Sequence, residues 1–242
     1  MAKNDLKSTT DRRKFIGSIA SGAAAMGLAT LTPSLNLHAE ENNSSTINPD
    51  DPDAWFNQIQ GKHRMVFDAT RPHEIFPFAW PKVYLLTNAA TGTPEKESSA
   101  VVVLRHSAIA FAFEDRLWAK YNFEKLFKVE AIGPAFQAAD AVKAASVRKP
   151  FWKPKSGDFK MPGLGNLAIG INELQASGVL FCVCNMAMTV YTNILAGQMN
   201  MKPEDVMKDW MSGLIPGIQV VPSGVWAVGR AQEHGCQYCF TG

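Results

Sequence analysis

The sequence predicts an α/β fold: an open, mostly parallel β-sheet with helices on both faces, in three layers. Three observations carry this expectation. Continuous apolar runs such as Ala100–Leu104 and Val179–Val183 are what a strand buried on both faces requires. Helix-period segments lie between those runs, giving a βαβ alternation. Pro, Gly and Asn steps punctuate nearly every junction.

His63–Ala69 is the first predicted strand. Trp80–Ala90 has helical spacing, with Pro77 and Pro81 limiting where it begins. Ala100–Leu104 is the second strand. Glu114–Lys128 follows as a helix, with Leu117, Trp118, Tyr121, Leu126 and Phe127 on one side. Residues 148–165 are basic and rich in Pro and Gly, and read as a loop or lid over the sheet edge. Leu164, Leu167, Ala168, Ile171 and Leu174 follow helical spacing, and Ser177-Gly178 marks the stop. Val179–Val183 is the third strand and Asn185–Gln198 the helix after it. A further helix starts at Pro203, with Glu204 and Asp205 at its positive end. Ile218–Val221 is a strand, Pro222-Ser223-Gly224 a turn and Val225–His234 a helix. Gln237–Phe240 is the last strand.

The N-terminus reads differently. Asp11-Arg12-Arg13-Lys14-Phe15-Ile16 is a twin-arginine pattern, followed by an uncharged Ala/Gly/Ser-rich stretch and a small residue at Ala39. Residues 1–39 are therefore expected to be an export signal, which predicts a periplasmic domain; membrane attachment requires that the signal be retained. Residues 40–61 are read as a flexible leader and 62–242 as one α/β domain. Residues 1–39 hold five of the 24 Lys/Arg and two of the 22 Asp/Glu, leaving 19 and 20. The domain is thus near neutral, with no electrostatic case for nucleic acid.

In open sheets of this kind ligands bind beyond the carboxyl ends of the strands. Three segments reach that edge: Arg105-His106-Ser107, Cys184-Asn185 and Pro222-Ser223-Gly224. Cys184 is the candidate chemical centre, because a thiol where a helix begins is biased toward thiolate. Its alternative is a small apolar residue closing a strand. His106 is a candidate base or metal ligand, or a polar cap of the strand end. Arg105 suits an oxyanion, or a salt bridge. Cys182 is expected in the core on the same side as Cys184, by strand period; their Cα atoms would lie about 6.6 Å apart, at the limit of disulfide reach. Cys236 and Cys239, in an extended strand, lie too far apart to bridge at about 10 Å, whereas a turn at Gly235-Cys236 would restore that option. Four cysteines allow three pairings, and the sequence selects none. C-x-C and C-x-x-C spacings some 50 residues apart fit no common zinc module, and neither a metal nor a cofactor is predicted. The methionines from Met186 to Met211 have mostly helical spacing, which suits core or interface packing.

Two stretches carry a family resemblance. Gly178-Val179-Leu180-Phe181-Cys182-Val183-Cys184-Asn185 is one. Val221-Pro222-Ser223-Gly224-Val225 with Ala231-Gln232-Glu233-His234-Gly235-Cys236 is the other. Together they resemble the DsrE/DsrF-like family of small α/β domains linked to sulfur relay and sulfur oxidation. The resemblance spans roughly residues 62–242 and is best over 178–238. It implies a DsrE-like three-layer fold and a persulfide accepted at Cys184. It also implies a pocket closed by Ser223 and Gly224, and assembly into a homo-oligomer. The chain differs from the small cytoplasmic members in its export signal, its length and its insert around 148–165. The resulting expectation is a sulfur-handling or thiol-redox protein. Cys184 would carry sulfur, with His106 or Arg105 steering an anionic group and Asn185 beginning the helix. The partners implied are a small sulfur species or a sulfur-donor or acceptor protein. The alternative is a non-enzymatic module binding a metal, ligand or partner at the same edge, since no G-x-S-x-G elbow, phosphate loop or H-E-x-x-H is present.

Overall fold

A computed structural model describes residues 53–129, 151–155, 157–161 and 165–242. The export signal expected over 1–39 lies outside them. Among the described residues no helix is long and apolar enough to cross a membrane.

The fold is α/β, built on one open, all-parallel sheet of five strands. In chain order the principal elements are β1 (His63–Ala69), α1 (Phe76–Ala90), β2 (Ser98–Leu104), α2 (Asp115–Tyr121) and α3 (Phe123–Leu126). A two-stranded ribbon of β3 (Lys160–Met161) and β4 (Gly165–Asn166) precedes α4 (Ile171–Ala176) and β5 (Leu180–Cys184). Then come α5 (Asn185–Met199), α6 (Pro203–Ser212), β6 (Ile218–Val221), α7 (Gly224–Glu233) and β7 (Gln237–Phe240). The sheet order is β6-β5-β2-β1-β7. The chain steps outward from β1 through β2 and β5 to β6, then returns to the far side of β1 as β7.

That reversal explains the layers. Parallel crossovers are right-handed, so reversing the direction of travel moves the connecting helix to the other face. Buried side chains of α1 to α6 join one large core with Ala100, Val102 and Leu104 of β2. Ala227 and Ala231 of α7 join a smaller core with Val101 and Val103, the alternate residues of the same strand. Residues Ala100–Leu104 are at most 1 % exposed, which accounts for their unbroken apolar sequence.

Four expectations change. The flexible leader does not run to residue 61: Ala54–Gln58 form a 3-10 helix, and Trp55 and Phe56 are buried in the smaller core. The helix expected over Glu114–Lys128 is two helices, because Asn122 takes a left-handed conformation (φ 48°) between α2 and α3. Of the helix expected from Leu164, residues 165–166 belong instead to the ribbon and the helix begins at Ile171. The described part of the 148–165 insert is anchored rather than free-standing: Phe151 and Phe159 are buried in the large core, and Phe151 stacks on Phe78 at 4.0 Å.

α2 and α6 are joined at their rims by Asp209. Its carboxylate accepts hydrogen bonds from Arg116 Nη1 (2.8 Å), Lys120 Nζ (2.7 Å) and the Tyr121 hydroxyl (2.8 Å). Burial pushes the Asp209 carboxyl up, but these donors outweigh it and hold it at about 2. A carboxyl held below its unfolded value of about 3.9 adds stability above that value. The contribution is lost as pH falls from there through about 2. Asp209→Asn should therefore cost about 1 kcal/mol at pH 7, the scale of a part-exposed charge network. In urea denaturation as a function of pH, the variant and the parent should converge near pH 2.

Candidate functional site at the carboxyl edge of the sheet

The three strand ends singled out by sequence lie side by side. β5 sits between β2 and β6, with Leu104 paired to Val183 and Cys184 to Val221. Arg105 and Cys184 are thus the next residues along neighbouring strands. The Met186 N–H donates to the Pro222 carbonyl (3.2 Å), tying the start of α5 to the β6–α7 turn.

Cys184 is the N-cap of α5, and its sulfur accepts the Ala187 N–H at 3.3 Å. The sulfur thus takes up one of the N–H groups that the first turn of the helix leaves unpaired. The residue is 6 % exposed. It borders the large core, whereas Cys182 lies in the smaller one. The expectation that strand period places the two cysteines together fails at the cap, where the chain turns from β5 into α5. All four cysteines are free. Burial pushes the Cys182 thiol far up; Cys236 is pushed up by burial to about 11, with Arg64 opposing, and burial also raises Cys239.

Arg105 follows β2 and meets a partner that the sequence reading did not identify. Its Nε and Nη2 donate to the two carboxylate oxygens of Asp68 at 2.6 and 2.8 Å. Asp68 sits one residue before the end of β1 and is 2 % exposed. The Tyr238 hydroxyl donates to the same carboxylate at 2.8 Å, and the Asp68 carbonyl accepts the Thr241 N–H and hydroxyl at 3.0 and 3.1 Å. The hydrogen bond to Asp68 raises the Arg105 guanidinium above its ordinary range, burial opposes this, and the nearby Cys184 adds to the rise. Burial, then the Asp68 contact, raises the Tyr238 phenol. A lone aspartate in Met65-Val66-Phe67-Asp68-Ala69 was the available sequence signal, since a charge near the end of a buried strand needs a counter-charge.

The remaining predicted residues are distributed around this pair. Gly224 opens α7 against the Arg105 stem: a Cβ there would lie 2.4 Å from Arg105 Cβ and 3.0 Å from Cδ. Ser223 caps α7, its hydroxyl accepting the Trp226 N–H at 3.2 Å. Asn185 is half-buried at the first position of α5, and its carbonyl accepts from Thr189 (3.0 Å).

His106 is exposed in a left-handed conformation (φ 50°) at the head of a 3-10 helix, His106–Ala112. Its ring is edge-on to Tyr191 at 6.2 Å, and Nδ1 lies 3.3 Å from the Ser107 hydroxyl. Among the described residues no hydrogen bond joins His106 to Cys184. No group of three His, Cys, Asp or Glu side chains that could hold a metal ion occurs among them either.

The edge therefore presents one capped sulfur, one clamped cation and two helix N-termini. This arrangement suits a small anionic or nucleophile-seeking ligand better than a bulky neutral one. No family model and no curated protein matches this chain.

Proposed function

We propose that this chain is a sulfur-handling protein of DsrE-like type, with Cys184 as the sulfur-bearing residue. The observation that carries the reading is the Ala187 N–H contact to Cys184 Sγ at the start of the 15-residue helix α5. Arg105, at the end of the neighbouring strand, is the nearby cation of this edge. In the proposed step the Cys184 thiolate bonds to the outer sulfur of a small sulfane donor. The donor's S–S bond breaks, and its electron pair leaves on the donor thiolate or oxyanion. A persulfide remains on Cys184, no oxidant is consumed, and an acceptor thiolate removes the sulfur by the same exchange. The near-complete burial of Cys184 favours a small donor over a docked protein. The twin-arginine pattern of residues 11–16 supports an exported compartment for this chemistry.

Intact-mass measurement of the reduced protein after exposure to an inorganic polysulfide tests the proposal. One added sulfur atom is expected, absent from Cys184→Ser. Equal loading of that variant contradicts it. The non-enzymatic alternative has one observation in its favour: Cys184 is already used as a helix cap. A protein that loads no sulfur supports that alternative.

We also propose self-association through α5. Met186, Val190 and Ile194, four residues apart in turn, form an exposed apolar row along it. Val190→Asp should then shift the sedimentation coefficient to that of the monomer; an unchanged value contradicts this contact.

A further inference from the structure

We propose that Asp68 is the positioning residue of this edge: it fixes the Arg105 guanidinium at the strand end neighbouring that of Cys184, so that the site selects anionic reagents. The inference deepens the Cys184 reading and rests on it.

The geometry leaves one nitrogen for the task. Asp68 takes Nε and Nη2 through its two oxygens, while Nη1 has no hydrogen-bond partner among the described residues. The Arg105 side chain is 28 % exposed and its counter-ion 2 %, so the cation faces the edge from a buried anchor. The anchor is itself fixed on three sides. Tyr238 donates to the carboxylate, Thr241 holds the Asp68 backbone, and strand pairing sets Asp68 opposite Val103 and Phe240. Gly224 bounds the arginine stem from α7, where any side chain would collide with it. A two-pronged arginine contact fixes direction as well as charge, which a lysine at the same place cannot do. An unanchored arginine would spread its charge over many rotamers. The clamped one offers a donor of fixed direction at the strand end next to that of Cys184.

The test compares alkylation of Cys184 by iodoacetate and iodoacetamide in the full chain, followed by peptide mass mapping. Both reagents attack the same sulfur, so their rate ratio cancels its ionisation and its general accessibility. Cys239, in the same chain, serves as the internal reference. Asp68→Glu and Arg105→Lys both conserve net charge, so a change in ratio reports placement of the cation rather than its presence. The anionic-to-neutral ratio at Cys184 is expected to exceed that at Cys239, and to fall by about threefold or more in each variant. The Cys239 ratio should stay constant. A ratio preserved in either folded variant overturns the positioning role, and one variant suffices should the other fail to fold. A Cys184 inert to both reagents overturns this proposal and the sulfur reading together. A ratio that falls as expected in a protein that loads no sulfur leaves the positioning standing and removes the sulfur chemistry.

Discussion

Arg105→Ala should destabilise the protein by about 3–5 kcal/mol, because it strands a carboxylate that is 2 % exposed. The Tyr238 hydroxyl and the Thr241 contacts would remain, but no counter-charge among the described residues would. Asp68→Ala should cost less, since the 28 %-exposed Arg105 side chain can turn to water. Adding Asp68→Asn to Arg105→Ala should therefore recover part of the loss, even though a second residue has been changed. Urea denaturation of the three chains at neutral pH measures this. A double variant no more stable than Arg105→Ala would show that the cost comes from lost packing of the arginine stem against Gly224.

Trp210→Ala should cost a similar amount, about 3–5 kcal/mol, for an apolar reason. Trp210 is fully buried on α6, with Phe123 at 4.9 Å, Phe113 at 5.0 Å, and Tyr121 and Phe127 at 6.1 Å between ring centroids. Removing the indole opens a void among rings carried by α2, α3 and their flanks, which cannot collapse together. The indole Nε1–H has no hydrogen-bond partner among the described residues. Trp210→Phe deletes that unpaired donor along with little volume, so it should lose much less. Similar midpoints for the Ala and Phe variants would contradict this account of the cluster.

Much of the sheet was legible because β2 and β5 are buried on both faces and therefore read as unbroken apolar runs. Strand ends were legible too, since each apolar run stops at a polar or turn-forming residue: Arg105, Asn185 and Pro222. Other features depend on geometry that period does not encode. Residues Ser107–Ala112 are all buried, so their 3-10 helix has no polar face to betray it. Trp55 and Phe56 were masked by the polar turn residues around them, and their burial rests on α7, whose Trp226 lies 5.6 Å from Phe56. The break at Asn122 is a single backbone torsion inside a run of good helix spacing.

The candidate site divides along the same line. Cys184 and Gly224 announced themselves by place in the chain. The Asp68–Arg105–Tyr238 cluster did not, because it requires the register of three strands whose members are up to 170 residues apart. Cys182 and Cys184 look equivalent in an alternating strand, yet the cap turns Cys184 toward the other core.

Those two cysteines also supply the most direct test of the central claim. Site-resolved mass spectrometry of the folded, reduced protein after brief exposure to a limiting amount of inorganic polysulfide maps where sulfur arrives first. The account predicts added sulfur on Cys184 ahead of Cys239, with Cys182 and Cys236 unmodified. First arrival at Cys239, or equal loading of all four thiols, would contradict it.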